Sequence, residues 1–241
     1  TMKRLFLLML LLVGAAATEP VQSGEYFATE RRQMVKDITE MATNTASVTG
    51  IGKFASLVLE AMEEVPRHEF VPREKISAAY KNRPLQIGHR QTISQPFIVA
   101  LMTELLNLKG TDRVLEVGTG SGYQAAVLSL LAAQVYSIEI IPELGEAAQN
   151  NLRRLGYANV QTKIGDGYLG WPAHAPFDGI IVTAAPDHIP PALIDQLKPN
   201  GRMVIPVGGF TQDLLVLTKR ADGTTISETI VPVRFVPLTR D

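Results

Sequence analysis

Three glycines separated by single residues, Gly118, Gly120 and Gly122, stand between the apolar run Val114–Val117 and a second apolar stretch from Tyr123 to Leu131. A strand, a glycine turn and a helix in that order form a ligand cradle. Without Cβ atoms the backbone can turn sharply and lie against a bound molecule. Where the strand is parallel, the turn falls at the carboxyl edge of an open sheet, where such sheets bind ligands. The spacing is GxGxG rather than the GxGxxG of dinucleotide sites, which favours a nucleoside without a pyrophosphate.

Two carboxylates belong to the same constellation. Glu139 follows the run Val135–Ile138, about 20 residues past the glycines, where an acid accepts hydrogen bonds from ribose hydroxyls. Glu116 is a charged residue inside an otherwise apolar strand and needs partners. The sequence offers the glycine-loop amides or a cationic group of the ligand. Farther on, Gly165-Asp-Gly167 follows a third strand pattern. Asp166 there is placed to accept from a purine amino group and Gly167 to let the ring lie close, while a plain Asp-Gly turn is the alternative. The run Phe177–Ala185 ends beside the glycine turn, so Thr183 and Ala184 are expected to line the reaction site.

Positioning these groups takes an alternation of strands and helices. The pattern predicts strands over 113–117, 134–139, 160–164, 177–183 and 202–207, with helices over 123–132, 142–155 and 190–197. Such alternation means a parallel sheet with helices on both faces. Segments 214–219 and 225–231, joined through Asp222-Gly223, read as a terminal hairpin. Upstream, 25–41 and 54–65 read as helices and 97–106 as another, with 42–50 a loop and 84–96 a loop or short extended segment.

Composition sets limits. The chain has 241 residues and a net charge of −1, so it carries no basic footprint for nucleic acid. It has no cysteine, which excludes disulfides, thiol catalysis and thiolate metal sites. Its four histidines are scattered, and no metal site is expected. Lys3 and Arg4 precede an apolar run, Leu5–Ala17, that ends in small residues. That is the layout of an export signal, too short for a spanning helix, with Ala15-x-Ala17 as a cleavage site. The expected location is exported or periplasmic, without stable membrane insertion beyond the signal. A cytoplasmic protein follows instead if the signal is unused or if synthesis starts at an internal methionine such as Met34. The segmentation is 1–23 for signal and linker, 24–110 for a helical region with a substrate loop, and 111–241 for the ligand-binding core with a covering tail.

Five blocks in order carry a resemblance: Gln91-Thr-Ile-Ser-Gln-Pro96, Leu115-Glu-Val-Gly-Thr-Gly-Ser-Gly-Tyr123, Gly165-Asp-Gly167, Val182-Thr-Ala-Ala-Pro186 and Val233-Arg-Phe-Val-Pro-Leu238. Together they resemble the protein-L-isoaspartate O-methyltransferases, over about 31–238. The glycine block alone is common to methyltransferases, whereas the first and last blocks are specific to this family. The resemblance implies a class I methyltransferase fold, an α/β Rossmann-like sheet, mostly parallel, with a C-terminal antiparallel hairpin and an N-terminal helical addition. It implies S-adenosyl-L-methionine as methyl donor, no metal, and damaged proteins or peptides with isoaspartyl residues as partners. It puts the active-site serine at Ser94, with Thr92, Gln95, Thr183, Ala184 and Val236 on the substrate side. Glu116, Gly118, Gly120, Gly122, Glu139, Asp166 and Gly167 fall on the donor side.

Departures bear on this reading. Arg90 stands where the family usually has glycine, which bears on substrate affinity, and the 39–56 stretch is longer than usual. An exported enzyme also has no obvious donor supply. Two other readings therefore stay open: a methyltransferase for another carboxylate, and an exported protein that binds isoaspartyl surfaces without catalysis. Oligomeric state is not legible.

Overall fold

A computed structural model describes residues 19–240. The proposed export signal lies outside the described residues. The first element is the long helix α1 (Glu19–Thr49), which continues straight through the 42–50 segment expected to be a loop. Met34, Ile38 and Ala42 are buried at four-residue spacing, with Thr49 buried beyond them. This tertiary contact overrides the weak helix propensity of a threonine-rich run. The threonines also satisfy themselves locally: Thr39, Thr45 and Thr49 each donate to the carbonyl four residues back, at 2.7, 2.8 and 3.1 Å. Gly50, at φ 72°, closes the helix with its N–H on the Ala46 carbonyl.

Helices α2 (Ser56–Glu64) and α3 (Pro96–Leu106) pack against α1. Between them, β1 (Leu85–Gly88) and β2 (Gln91–Ile93) pair as a small antiparallel hairpin. Its turn residues, His89 and Arg90, both have positive φ, 49° and 60°. Arg90 is thus exposed at a hairpin tip, in a conformation that favours glycine.

The core runs β3 (Arg113–Val117), α4 (Tyr123–Ser129), β4 (Gln134–Glu139), α5 (Pro142–Arg154), β5 (Val160–Ile164), β6 (Phe177–Val182), α6 (Pro191–Gln196), β7 (Leu197–Gly208), β8 (Gln212–Lys219) and β9 (Thr225–Val233). The seven strands lie in the order β5-β4-β3-β6-β7-β8-β9. Strands β3 to β7 are parallel, and β8 and β9 join antiparallel. The sheet is the expected one. Strand β7 is longer than predicted, starting at Leu197, and α4 stops three residues early at Ser129.

Strand β3 is buried on both faces, as a central parallel strand must be. Val114 joins Val135, Ile181 and Val204 in the core under α1–α4. Leu115 and Val117 join Tyr136, Ile138, Ile180 and Val182 on the opposite face. The chain leaves β3 toward β4 and β5, then returns to β6 on the other side. The switch point between β3 and β6 therefore opens a crevice at their carboxyl ends. After β9, the tail crosses back over that crevice. The Ala185 N–H donates to the Val236 carbonyl and the Leu238 N–H to the Ala185 carbonyl, each at 2.8 Å.

Candidate active site

The glycine turn sits at the crevice as expected. Gly118 has φ 98°, and a Cβ on it would lie 2.4 Å from the Thr183 Oγ1. That hydroxyl donates to the Gly118 carbonyl at 2.6 Å, which ties the ends of β3 and β6 together. Gly118→Ala is expected to break this tie and displace Thr183, with donor affinity falling at least about tenfold. Titration with S-adenosylhomocysteine checks this, and unchanged affinity would show that the turn tolerates a side chain. Gly167 meets Val117 in the same way, with a Cβ that would fall 2.3 Å from the valine Cγ1.

Glu139 closes the cleft. It is 6% exposed, and its Oε2 accepts from the Gly120 N–H at 2.7 Å and its Oε1 from the Ile141 N–H at 3.0 Å. Each oxygen keeps acceptor capacity for a ligand hydroxyl. Gly118, Gly120, Glu139, Gly167 and Ala184 all wall this cleft, with Ile138, Ile140 and Ile141 as its apolar side. The tail residues Pro237, Leu238 and Thr239 close over it, leaving about 50 Å³ free.

Glu116 behaves differently from the expectation. The glycine-loop amide goes to Glu139, and Glu116 instead accepts from the Ser137 hydroxyl directly across the strand pair at 2.5 Å. That hydroxyl also meets the Thr119 Oγ1 at 2.6 Å, and the second Glu116 oxygen has no protein partner. Strand alternation is the reason. Glu116 points into the core beside Val114, away from the cleft wall. Burial, reinforced by nearby Glu139 and only partly offset by Ser137, pushes its carboxyl up to about 8.

That shift carries a sign. An acid whose pKa is raised in the folded state binds an extra proton between its unfolded value and about 8. Its contribution to stability is therefore full at low pH and is lost as pH rises through that window. Glu116→Gln keeps the hydrogen bond without the titration. Its stability relative to the native chain is expected to rise from pH 5 to pH 8, by on the order of a few kcal/mol. Parallel melting curves across that range would contradict the shift.

Two other donor-side residues lie off the cleft wall. Gly122 is buried at the start of α4, and a Cβ there would press on Leu152 and Ala148 of α5. It serves helix packing. Asp166 stands next to Gly167 with its Oδ1 accepting from the Tyr168 N–H at 2.8 Å, a capping bond that leaves its other oxygen available.

Beside the cleft lies a pocket of about 460 Å³. Thr92, Ser94, Gln95, Thr183 and Val236 line it, together with Pro84, Ile98 and the tail from Pro232 to Phe235. Thr92, Thr183 and Val236 belong to both cavities, so a single layer of side chains separates them. Ala184 faces only the cleft.

Two residues that sequence reasoning missed hold this pocket together. Gln212 grips the Phe235 peptide from both sides: its Oε1 accepts from the Phe235 N–H at 2.6 Å and its Nε2 donates to the Phe235 carbonyl at 3.1 Å. Nothing local marks it, since its partner is 23 residues away. Arg67 is fully buried, with its Nε on the Ala79 carbonyl at 2.8 Å and its Nη2 on the Ser94 carbonyl at 2.7 Å. The run Arg67-His-Glu69 held between Pro66 and Pro72 was the available signal. His68, in the same block, stacks on Phe27 of α1 and meets the Tyr80 hydroxyl, a structural contact. Trp171 packs edge-on against Tyr136, away from both cavities. Among the described residues no cluster of histidine and carboxylates could hold a metal ion, and no helix is long and apolar enough to cross a membrane.

Comparison with known proteins bears on the family and the fold. The sequence profile of the family described as protein-L-isoaspartate(D-aspartate) O-methyltransferase matches residues 48–241. A protein of Syntrophobacter fumaroxidans named protein-L-isoaspartate O-methyltransferase 2 is 54% identical over 236 residues, covering 97% of this chain and 96% of its own. One of Cupriavidus necator, named protein-L-isoaspartate O-methyltransferase 1, is 57% identical over 213 residues, covering 88% and 82%. A solved protein-L-isoaspartate O-methyltransferase superposes with a TM-score of 0.73 at 30% identity, over 84% of this chain and 65% of that longer one. A Plasmodium falciparum structure in complex with S-adenosyl-L-homocysteine shares the fold, with a TM-score of 0.73 at 24% identity over 88% and 99%.

Proposed function

The chain belongs to the protein-L-isoaspartate(D-aspartate) O-methyltransferase family, and we propose that it methylates isoaspartyl residues through the two adjoining cavities, with Ser94 orienting the substrate carboxylate. It is an S-adenosylmethionine-dependent methyltransferase. The observation that carries the proposal is the shared wall: Thr92, Thr183 and Val236 border both the glycine cleft and the Ser94 pocket.

The cleft residues fit the donor. Gly118 and Gly167 let the backbone close directly against Thr183 and Val117 where a Cβ would clash, Glu139 presents a buried carboxylate for ribose hydroxyls, and the isoleucines offer an apolar wall for a purine. When bound, S-adenosylmethionine supplies an electrophilic methyl carbon on a sulfonium. The substrate's carboxylate oxygen forms the new bond to that carbon as the carbon–sulfur bond breaks, and a neutral thioether leaves.

No proton has to move, since a carboxylate with a pKa near ~4 is already ionised at neutral pH. The site therefore needs no general base. Ser94 and Thr92 hold the carboxylate oxygens in line, and Thr183 braces the donor turn. Positioning of this kind is a large source of rate. Opposite charges are annihilated in the transition state, and the tail clamped by Gln212 limits the water that would stabilise them apart. In the resulting ester the following peptide nitrogen attacks the ester carbonyl, loses its proton and expels methanol to give a succinimide, which water reopens partly to aspartate, and this begins repair.

Labelled donor incubated with an isoaspartyl peptide and a panel of small carboxylic acids tests the substrate class. A base-labile ester on the peptide alone is expected. Preferential labelling of the small acids would replace this reading with the other-carboxylate one, which the relatives do not favour.

We further propose that the Lys3–Ala17 segment directs export. Its support is the basic, apolar and small-residue order of the sequence. Mass determination of the protein from its native cell is expected to give a chain beginning after Ala17. An intact amino terminus in a cytosolic fraction would overturn this proposal and leave the reaction untouched.

A further inference from the structure

Arg67 lies in a one-turn 3-10 segment (Arg67–Phe70), far in sequence from both cavities, and has 0% exposure. No carboxylate pairs with it among the described residues. Its Nε and Nη2 donate to two main-chain carbonyls, those of Ala79 and Ser94, its Nη1 has no hydrogen-bond partner, and its guanidinium carbon stands 4.7 Å over the centre of the Tyr123 ring. Burying this cation carries a desolvation cost that its contacts offset only in part, which pulls its pKa down to about 10. Stability alone is thus a weak account of this residue.

The three contacts have a common geometry. Ser94 faces the larger pocket. Tyr123 opens α4, immediately after Gly122 of the donor turn. Ala79 caps the 3-10 segment Arg73–Ala78, within the irregular stretch that carries the chain from α2 to the β1–β2 hairpin. One side chain therefore spans the substrate loop and the first turn of the donor helix. From these contacts we infer that Arg67 is a positioning residue, which fixes the Ser94 segment relative to α4 and so sets the approach of the substrate carboxylate to the donor. This inference rests on the Ser94 reading given above. The guanidinium suits the task because its planar fork directs two hydrogen bonds at once, in a fixed relation that a lysine ammonium cannot reproduce.

The test is a double-mutant cycle on the full chain with an isoaspartyl peptide, using Arg67→Met, Ser94→Ala and the pair. Ser94→Ala keeps the carbonyl that Arg67 holds while removing the hydroxyl that Arg67 is inferred to aim. Arg67→Met alone is expected to lower kcat at least about tenfold, with S-adenosylhomocysteine affinity changed by no more than about threefold. In the pair, the Arg67 loss is expected to shrink to about threefold or less, because the group it positions is already gone. Arg67→Lys is expected to recover only part of the rate. If Arg67→Met does not fold, Arg67→Lys takes its place in the cycle.

Losses that add in full would overturn the inference while leaving the Ser94 reading intact. So would a loss confined to donor affinity, or native turnover in Arg67→Met. Native turnover in Ser94→Ala would overturn the Ser94 reading, and with it the role of Arg67.

Discussion

Ser94→Ala is expected to lower kcat/KM for an isoaspartyl peptide by about 10- to 100-fold while leaving donor affinity within about threefold. The size follows from the bond removed, since a hydrogen bond to a charged group contributes roughly 1.5–3 kcal/mol. The asymmetry follows from geometry. Ser94 lines the larger pocket and takes no part in the wall of the glycine cleft, so its hydroxyl meets the acceptor carboxylate and not the donor. The fall is expected mainly in kcat, because a misaligned carboxylate still binds but attacks off line. Steady-state kinetics with a matched S-adenosylhomocysteine titration separates these effects. A variant that loses donor affinity and keeps turnover at saturation would assign Ser94 to the wrong cavity.

Glu139→Ala is expected to weaken donor binding by about 100-fold, the equivalent of roughly 2.7 kcal/mol. Two losses combine. The acceptor for the ribose hydroxyls disappears, and so does the carboxylate that holds the Gly120 and Ile141 amides. Those half-buried amides, left without that partner, loosen the turn that shapes the cleft. Glu139→Gln keeps one carbonyl oxygen and nearly the same volume, so an intermediate loss is expected. At saturating donor the turnover of both variants is expected to recover most of the native rate. Native affinity in Glu139→Ala would remove the carboxylate from the donor site altogether.

The parts of this molecule legible in its sequence are those set by local pattern. A strand, a glycine turn and a helix in succession locate the cleft, and the alternation from Arg113 onward yields the sheet and its closing hairpin. What stayed hidden depends on pairing across distance. Glu116 and Glu139 read as neighbours in one motif, yet strand alternation sends one into the core and the other to the cleft. The register Glu116↔Ser137 decides which carboxylate receives the hydroxyl.

The 42–50 run reads as a loop from its threonines, and becomes helix because Ala42 and Thr49 find buried surface to cover. Most of α1 lies before residue 48, where the family profile begins to match. The long first helix therefore owed less to recognisable blocks. Gln212 and Arg67 bind main-chain groups 23 and 27 residues away. A side chain that serves a distant carbonyl leaves no periodicity and no motif of its own. Arg90 shows the reverse case, a visible departure whose exposed place at a hairpin tip keeps it out of the residues that line either cavity.

The central claim, that the two cavities join a sulfonium donor to an isoaspartyl carboxylate, is tested most directly by one comparison. Protein starting near Gly24 is given labelled S-adenosylmethionine and two peptides identical except for an isoaspartyl or an ordinary aspartyl linkage. The account predicts methyl ester on the isoaspartyl peptide and none above background on its partner. Equal labelling of the two, or labelling of neither by folded protein that binds the donor, would contradict it.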